Sequence, residues 1–163
     1  MNLLNILSLE ISSIILTLKL SLVTCFFLFF IGTPISLYLA FKKNKFIPIF
    51  ESLVTLPLVL PPTVIGFYLL VFFNPESILG KFFITITGEQ LAFSFSGLVF
   101  ASIFYSLPFW VQPLQNSFEK IDVKILEAGT NMGGTKIDLL LKIILPSCKR
   151  GFLTAFILSF AHT

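Results

Sequence analysis

Charge is scarce in this chain: 12% of its 163 residues are Asp, Glu, Lys or Arg, against about 25% in a typical soluble domain. With 56% hydrophobic residues and a mean hydropathy of +0.98, too little polar side chain remains to cover a water-facing surface, which excludes an ordinary soluble domain. Histidine occurs once, at His162, so a metal site is not expected. The two cysteines, Cys25 and Cys148, lie one in an apolar run and one beside Lys149 and Arg150. They read as single thiols and exclude a disulfide framework. No glycine-rich phosphate loop ending in Gly-Lys-Ser/Thr occurs, so the chain cannot itself be an ATPase. The N-terminus has neither the basic start nor the small-residue cleavage site of a signal peptide, and the first apolar run is expected to be retained.

Long apolar runs are what the chain does have. Leu20 to Phe41, Ser52 to Phe73 and Leu91 to Leu114 would each rise roughly 33 Å or slightly more as a helix, enough to cross the hydrocarbon core. A fourth run, Phe152 to Ala161, covers roughly 15 Å, about half a bilayer. With flanking residues the spans are expected at about 12–41, 47–73, 91–114 and 151–163, in an all-α, polytopic bundle of transmembrane helices. No Asp, Glu, Arg or His lies deep in the three complete runs, which argues against a carrier built on intramembrane carboxylates. Of the eleven Lys and Arg, all but Lys19 and Lys81 fall either in Lys42–Lys45 ("KKNK") or between the third and fourth runs. These alternate connections are therefore expected in the cytosol, with the N-terminus and the Asn74–Gln90 loop outside. Turn signals at Asn74-Pro75 and Gly88 bracket a short apolar patch in that outer loop, which fits a segment lying along the interface.

The second run carries Pro57, Pro61 and Pro62, none of which has a backbone donor, so no unbroken helix can pass through them. In lipid the freed carbonyls need partners, for which Thr55 and Thr63 are candidates. Two readings stay open: a packing kink, or a segment lining a substrate path.

The most structured polar stretch is "EAGTNMGGTKIDLLLKIILP", Glu127 to Pro146. Asp122 to Met132 has helical character, with Val123, Leu126 and Thr130 on one side and Lys120, Lys124 and Glu127 towards the other. Lys124 and Glu127 are spaced to pair across a turn. Gly133-Gly134 breaks that helix, and Thr135-Lys136-Ile137-Asp138 fits a capping box with Asp in place of Glu. A second helix, Lys136 to Leu145, is expected to end at Pro146, its apolar side (Ile137, Leu140, Leu141, Ile144) packed on the spans. Glu127 has no base, nucleophile or metal ligand beside it to support a catalytic role. The segment is an amphipathic loop or an interaction surface.

This segment resembles the EAA loop of binding-protein-dependent ABC transporter permeases, whose pattern is Glu-Ala-Ala, a Gly, then Ile-x-Leu-Pro. Glu127, Ala128, Gly133, Ile143, Leu145 and Pro146 stand at the family's offsets, and Gly129 departs from it where a second Ala is usual. The run "LPLVLPPTVIGFYLL", together with "FSFSG", "IDVKILEA" and "SFAHT", is similar to molybdate/tungstate permeases, with sulfate/thiosulfate permeases as close relatives. The resemblance implies a non-catalytic subunit of the bacterial cytoplasmic (inner) membrane that needs no cofactor. Two permease copies in lipid would form the pore, two cytosolic ATPase subunits would drive it, and an external binding protein would deliver the oxyanion. Nucleic acid is not an expected partner. The loop at about 119–146 would dock on the ATPase through Glu127, Ala128 and Gly133, while Pro57, Pro61, Pro62 and Thr63 would mark the substrate path. Family members continue beyond "SFAHT" with further spans, so residues 1–163 are expected to form a permease domain incomplete at its C-terminus. A truncated, non-transporting remnant is the alternative.

Overall fold

The computed structural model describes residues 3–42 and 44–163. Lys43, one of the basic residues used for orientation, and the N-terminal Met1 and Asn2 lie outside the described residues. Every regular element among the described residues is helical: α1 (Leu3–Phe41), α2 (Ile47–Val59), α3 (Pro62–Phe73), α4 (Ile78–Thr87), α5 (Phe95–Glu119), α6 (Val123–Asn131), α7 (Lys136–Leu139), a π-helical stretch (Leu140–Ile144), α8 (Leu145–Ser147) and α9 (Lys149–His162). Among the described residues, two helices are long and apolar enough to cross a membrane alone, Glu10–Phe41 and Phe95–Glu119. The bent pairs α2–α3 and Ile137–Ser147 with α9 raise the number to four if each is one span.

The bundle is organised around α5, which packs against α1 on one flank and α9 on another. Lipid is as apolar as leucine, so contact between spans depends on close packing and polar links more than on a hydrophobic drive. The α1–α5 contact shows both devices. A Cβ at Gly32 would collide with Cδ1 of Trp110 at 2.5 Å, and Trp110 Nε1 donates to Thr33 Oγ1 at 3.4 Å. Trp110 is only 2% exposed as a result. The α5–α9 contact repeats the first device, with Gly151 against the Ser117 side chain. The buried core joins Cys25 and Leu28 of α1, Leu114 and Phe118 of α5, and Ile144, Cys148 and Ala155 from the C-terminal part. Both cysteines are free and buried, as expected of single thiols.

The third span differs from the expected one at both ends. The third span starts at Phe95, because Leu91–Ser94 forms a capping turn in which Ser94 Oγ accepts from Gly97 N at 3.0 Å. It continues past Leu114 to Glu119, so Gln115 and Asn116 belong to the helix. The outer loop is itself helical in α4, capped by Ser77, whose Oγ accepts from Gly80 N, and closed by Gly88 in the left-handed region. The second span is broken as its prolines require, with α2 and α3 meeting at 107°. Leu60 and Pro61, each preceding a proline, are both extended, with ψ of 136° and 137°, the conformation that a following Pro ring imposes. Pro62 then opens α3 at its first position, where the missing N–H costs nothing.

Candidate functional site: a docking bracket and a broken span

Residues 119–148 form a bracket at the end of the bundle that also holds the α1–α2 connection. A cleft of about 490 Å³ is lined from one side by Lys42 and Asn44 and from the other by Glu119, Ile121 and Val123. The first arm, α6, starts at Asp122, whose Oδ1 accepts from Lys124 N at 2.9 Å. The arm ends in a Schellman closure: Gly134 N donates to Gly129 O at 3.1 Å and Gly133 N to Thr130 O at 2.9 Å. Gly133 has φ of +81°, with open space around it. The left-handed turn therefore demands this glycine, while crowding does not.

The second arm begins with the expected capping box, formed in both directions. Asp138 N donates to Thr135 Oγ1 at 3.2 Å, and Thr135 N and Oγ1 donate to Asp138 Oδ2 at 3.3 and 2.6 Å. Lys142 Nζ binds Asp138 Oδ1 at 2.6 Å. The lysine first, and then the Thr135 bonds, hold the Asp138 carboxyl well below the usual range, at about 2. The expected stop at Pro146 is not observed. The chain widens to a π-helical stretch over Leu140–Ile144 and then runs through Pro146 to Ser147. The π register moves backbone bonding away from the i−4 pattern that a proline ring obstructs. A 68° bend into α9 follows.

The inward face of the bracket also differs from the expected one. Ile137 and Leu141 are 67% and 57% exposed, whereas Leu139, Ile144 and Cys148 are buried and Leu126 and Leu140 pack half-buried on the core. No ion pair joins Lys124 to Glu127; the ion pair among the described residues is Lys142–Asp138. Glu127, Ala128, Gly133 and Pro146 are exposed, and Gly129, Ile143 and Leu145 are half-buried. Gly129 lies where the two arms touch. A Cβ there would collide with Leu139 Cδ2 and come within 3.1 Å of Ile143 Cδ1. Ile125 and Met132, 51% and 88% exposed and seven residues apart, mark one apolar side of the first arm, and Val123 and Ile137 are 62% and 67% exposed. This exposed apolar set drew no reading in the sequence, where Val123 was grouped with Leu126 and Thr130 on one side of the helix. The available signal was Met132, an apolar side chain beside a glycine turn.

The proline break lies between two cavities along α5. Towards the chain's C-terminal end, a cavity of about 230 Å³ is lined by Pro62, Ile65, Ser102, Tyr105, Ser106 and His162. Towards the bracket, one of about 250 Å³ is lined by Glu51, Thr55, Gln112, Gln115 and Asn116. There Gln115 Nε2 donates to Glu51 Oε1 at 2.6 Å and Glu119 Oε1 at 2.9 Å. Pro57 is buried inside α2, while Pro61, Pro62 and Thr63 are exposed. Thr55 Oγ1 donates to the carbonyls of Glu51 and Ser52; Thr63 has no side-chain hydrogen bond among the described residues. Gln115 and Asn116 went unread because the expected span ended at Leu114, and Ser102, Ser106 and Gln112, inside it, drew no reading.

Residues 32–163 match the binding-protein-dependent transport system inner membrane component family. The chain belongs to that family. It is accordingly a multi-pass membrane protein related to ABC transporter permeases. It is 44% identical over 154 residues to the molybdenum transport system permease protein ModB of Azotobacter vinelandii, covering 94% of this chain and 68% of that relative. The probable transport system permease protein NifC of Clostridium pasteurianum is 31% identical over 155 residues, 94% of this chain and 54% of its own length. The sulfate transport system permease protein CysT of Synechocystis is 33% identical over 114 residues, covering 70% of this chain and 40% of CysT. Permeases of this family work generally with an ATPase and a substrate-binding protein, and the chain's all-helical, apolar architecture fits such a membrane subunit.

Proposed function

We propose that the chain is the transmembrane subunit of an ATP-driven importer of molybdate or tungstate, contributes half of the translocation path as one of two copies, and docks on a cytosolic ATPase through the bracket. The observation that carries the substrate reading is the 44% identity to a molybdenum permease over 94% of the chain. The 33% identity to a sulfate permease covers 70% of the chain, which makes sulfate or thiosulfate the second reading. In this reading the bracket end faces the cytosol, as its lysines favour, and the N-terminus faces outside. The exposed turn at Gly133 and the apolar side chains of Ile125, Met132 and Ile137 enter a cleft on the ATPase. Such a cleft is well filled by a rigid helical knob whose tip carries no Cβ. Movement of the ATPase dimer then swings the bracket and, with it, α5 and α9. The two α5 cavities flanking the proline break offer hydroxyl and amide groups of Ser102, Tyr105, Gln112 and Asn116 along an oxyanion's path, beside the Glu51 carboxylate that Gln115 engages, with the break as the segment that changes angle.

The test uses the complete transporter in membranes. Met132→Glu is expected to abolish co-purification of the ATPase while leaving the protein in the membrane; unchanged association would overturn the docking assignment. Uptake of labelled molybdate is expected to be inhibited by tungstate and resistant to excess sulfate. Equal inhibition by sulfate would favour the second reading.

A further inference from the structure

A groove on the outer flank of α1, α2 and α5 plays no part in the proposed path. It has a volume of about 580 Å³ and is lined by Pro34, Tyr38, Phe50, Leu53, Phe104 and Leu107, among other apolar residues. That volume falls within the range of small-molecule clefts, about 300–1,000 Å³. Tyr38, Phe50, Leu53 and Phe104 are 41–64% exposed, so the groove opens towards lipid. Its rim is bulky, whereas close contact between membrane helices uses small residues, and this disfavours a second copy of the chain as the occupant.

One end of the groove is charged. Lys42 Nζ lies 4.8 Å from the centre of the Tyr38 ring, which places a cation over a groove-lining side chain. Exposed Lys45 follows in the same connection. Neither lysine forms an ion pair among the described residues. The carboxylates at that end, Glu51 and Glu119, both accept from Gln115 and share a cleft with Lys42 without forming an ion pair to it. From Lys42, the groove extends along α1 to Pro34, roughly 12 Å deeper at the helical rise. A cation at the surface above an apolar slot running into the hydrocarbon fits one ligand chemistry.

We infer that this groove holds one acyl chain of an anionic phospholipid, with its phosphate at Lys42 and Lys45. Basic side chains beside a membrane helix favour anionic headgroups by a factor of about five each. The apolar slot supplies residence for the chain, and the lysines supply headgroup choice. The site would pin the α1–α2 hinge to one leaflet.

The full chain is reconstituted in nanodiscs with phosphatidylglycerol carrying a photoactivatable diazirine in its acyl chain, and the labelled peptides are mapped. Labelling is expected to concentrate on residues 34–39, 50–54 and 104–107, and unlabelled phosphatidylglycerol should compete it away better than phosphatidylcholine. Leu53→Trp, a substitution facing lipid that fills the slot, should reduce labelling there to that of the open surface around Phe26 and Phe30. Lys42→Gln with Lys45→Gln should erase the preference for phosphatidylglycerol, about 25-fold for the pair, and leave phosphatidylcholine labelling unchanged. Even labelling over the whole apolar surface, or equal competition by the two lipids, would overturn the proposal. So would protection of the groove by disulfide-linked Leu53→Cys dimers, which would make a second copy the occupant.

Discussion

Replacing Gly129 by Ala would restore the family's Glu-Ala-Ala pattern, and it is expected to weaken the bracket. Two opposing effects set the sign. Ala in the interior of α6 gains about 1 kcal/mol of helix propensity over Gly. Against this, the new Cβ would overlap Leu139 Cδ2 and press on Ile143 Cδ1 at 3.1 Å. Overpacking of this kind costs about 1–3 kcal/mol, and Leu139 is only 9% exposed, which leaves its methyl little room to swing. The net expectation is a loss of about 1 kcal/mol, seen as roughly fivefold faster exchange of the Gly133 and Gly134 amides that close the Schellman turn. Hydrogen exchange read by mass spectrometry on the detergent-solubilised chain measures this directly. Leu139→Ala provides the control. It weakens the bracket by itself, by about 2 kcal/mol or more, but it removes the obstructing methyl, so adding Gly129→Ala should then slow exchange. The two effects of Gly129→Ala should differ by about 2 kcal/mol, a coupling expected only of touching residues. If Gly129→Ala slows exchange in both backgrounds, the two arms do not meet at Gly129 and the reasoning fails.

Gly133→Ala should cost about 1–2 kcal/mol, because an L residue is forced into the left-handed region with φ of +81°; Gly133→Asn should cost less, and the same exchange assay ranks them. The Asp138 carboxyl, depressed from the usual 3.8 to about 2 by Lys142 and Thr135, should give its full capping contribution above about pH 4 and lose it as pH falls towards 2. Carboxyl-labelled aspartate NMR should show the low midpoint, and Lys142→Gln should raise it. Gly32→Ala should push Trp110 from its seat on α1 and break its bond to Thr33. Trp110 is the sole tryptophan, so a red-shifted and more quenchable emission reports the change, while an unchanged spectrum would refute the contact.

The parts of the fold most legible in the sequence are those governed by backbone chemistry. Thr135 and Asp138 cap as their spacing requires, Gly133 takes the conformation only glycine tolerates cheaply, and Pro61-Pro62 breaks the second run. Side-chain facing was less legible, because lipid and protein interior are equally apolar and periodicity cannot say which face turns inward. Leu20–Phe41 reads as uniformly greasy, yet its protein-facing side is marked by the small and polar Ser21, Thr24, Gly32 and Ser36. Ile137 and Leu141 were assigned inward for the same reason; Leu139 is buried in their place, while Leu140 and Ile144 face inward as expected. The π-helical stretch follows from how Pro146 is accommodated by its neighbours, which no local rule specifies. Gln115 was passed over because the apolar run was closed at Leu114, five residues before the helix ends at Glu119.

The narrow attachment of the bracket has a mechanical consequence. α6 has no fully buried side chain, and the bracket joins the core of the spans through Ile144 and Cys148, with Leu126 and Leu140 half-buried against it. A load applied at the Gly133 tip would therefore reach the bundle as torque about that strip, not as a straight push. The 68° elbow at Cys148 would turn this torque into a sideways swing of α9. The tip and α9 thus behave as the two arms of a bell crank, and the ratio of their lengths sets how far the membrane end moves for a given displacement at the tip.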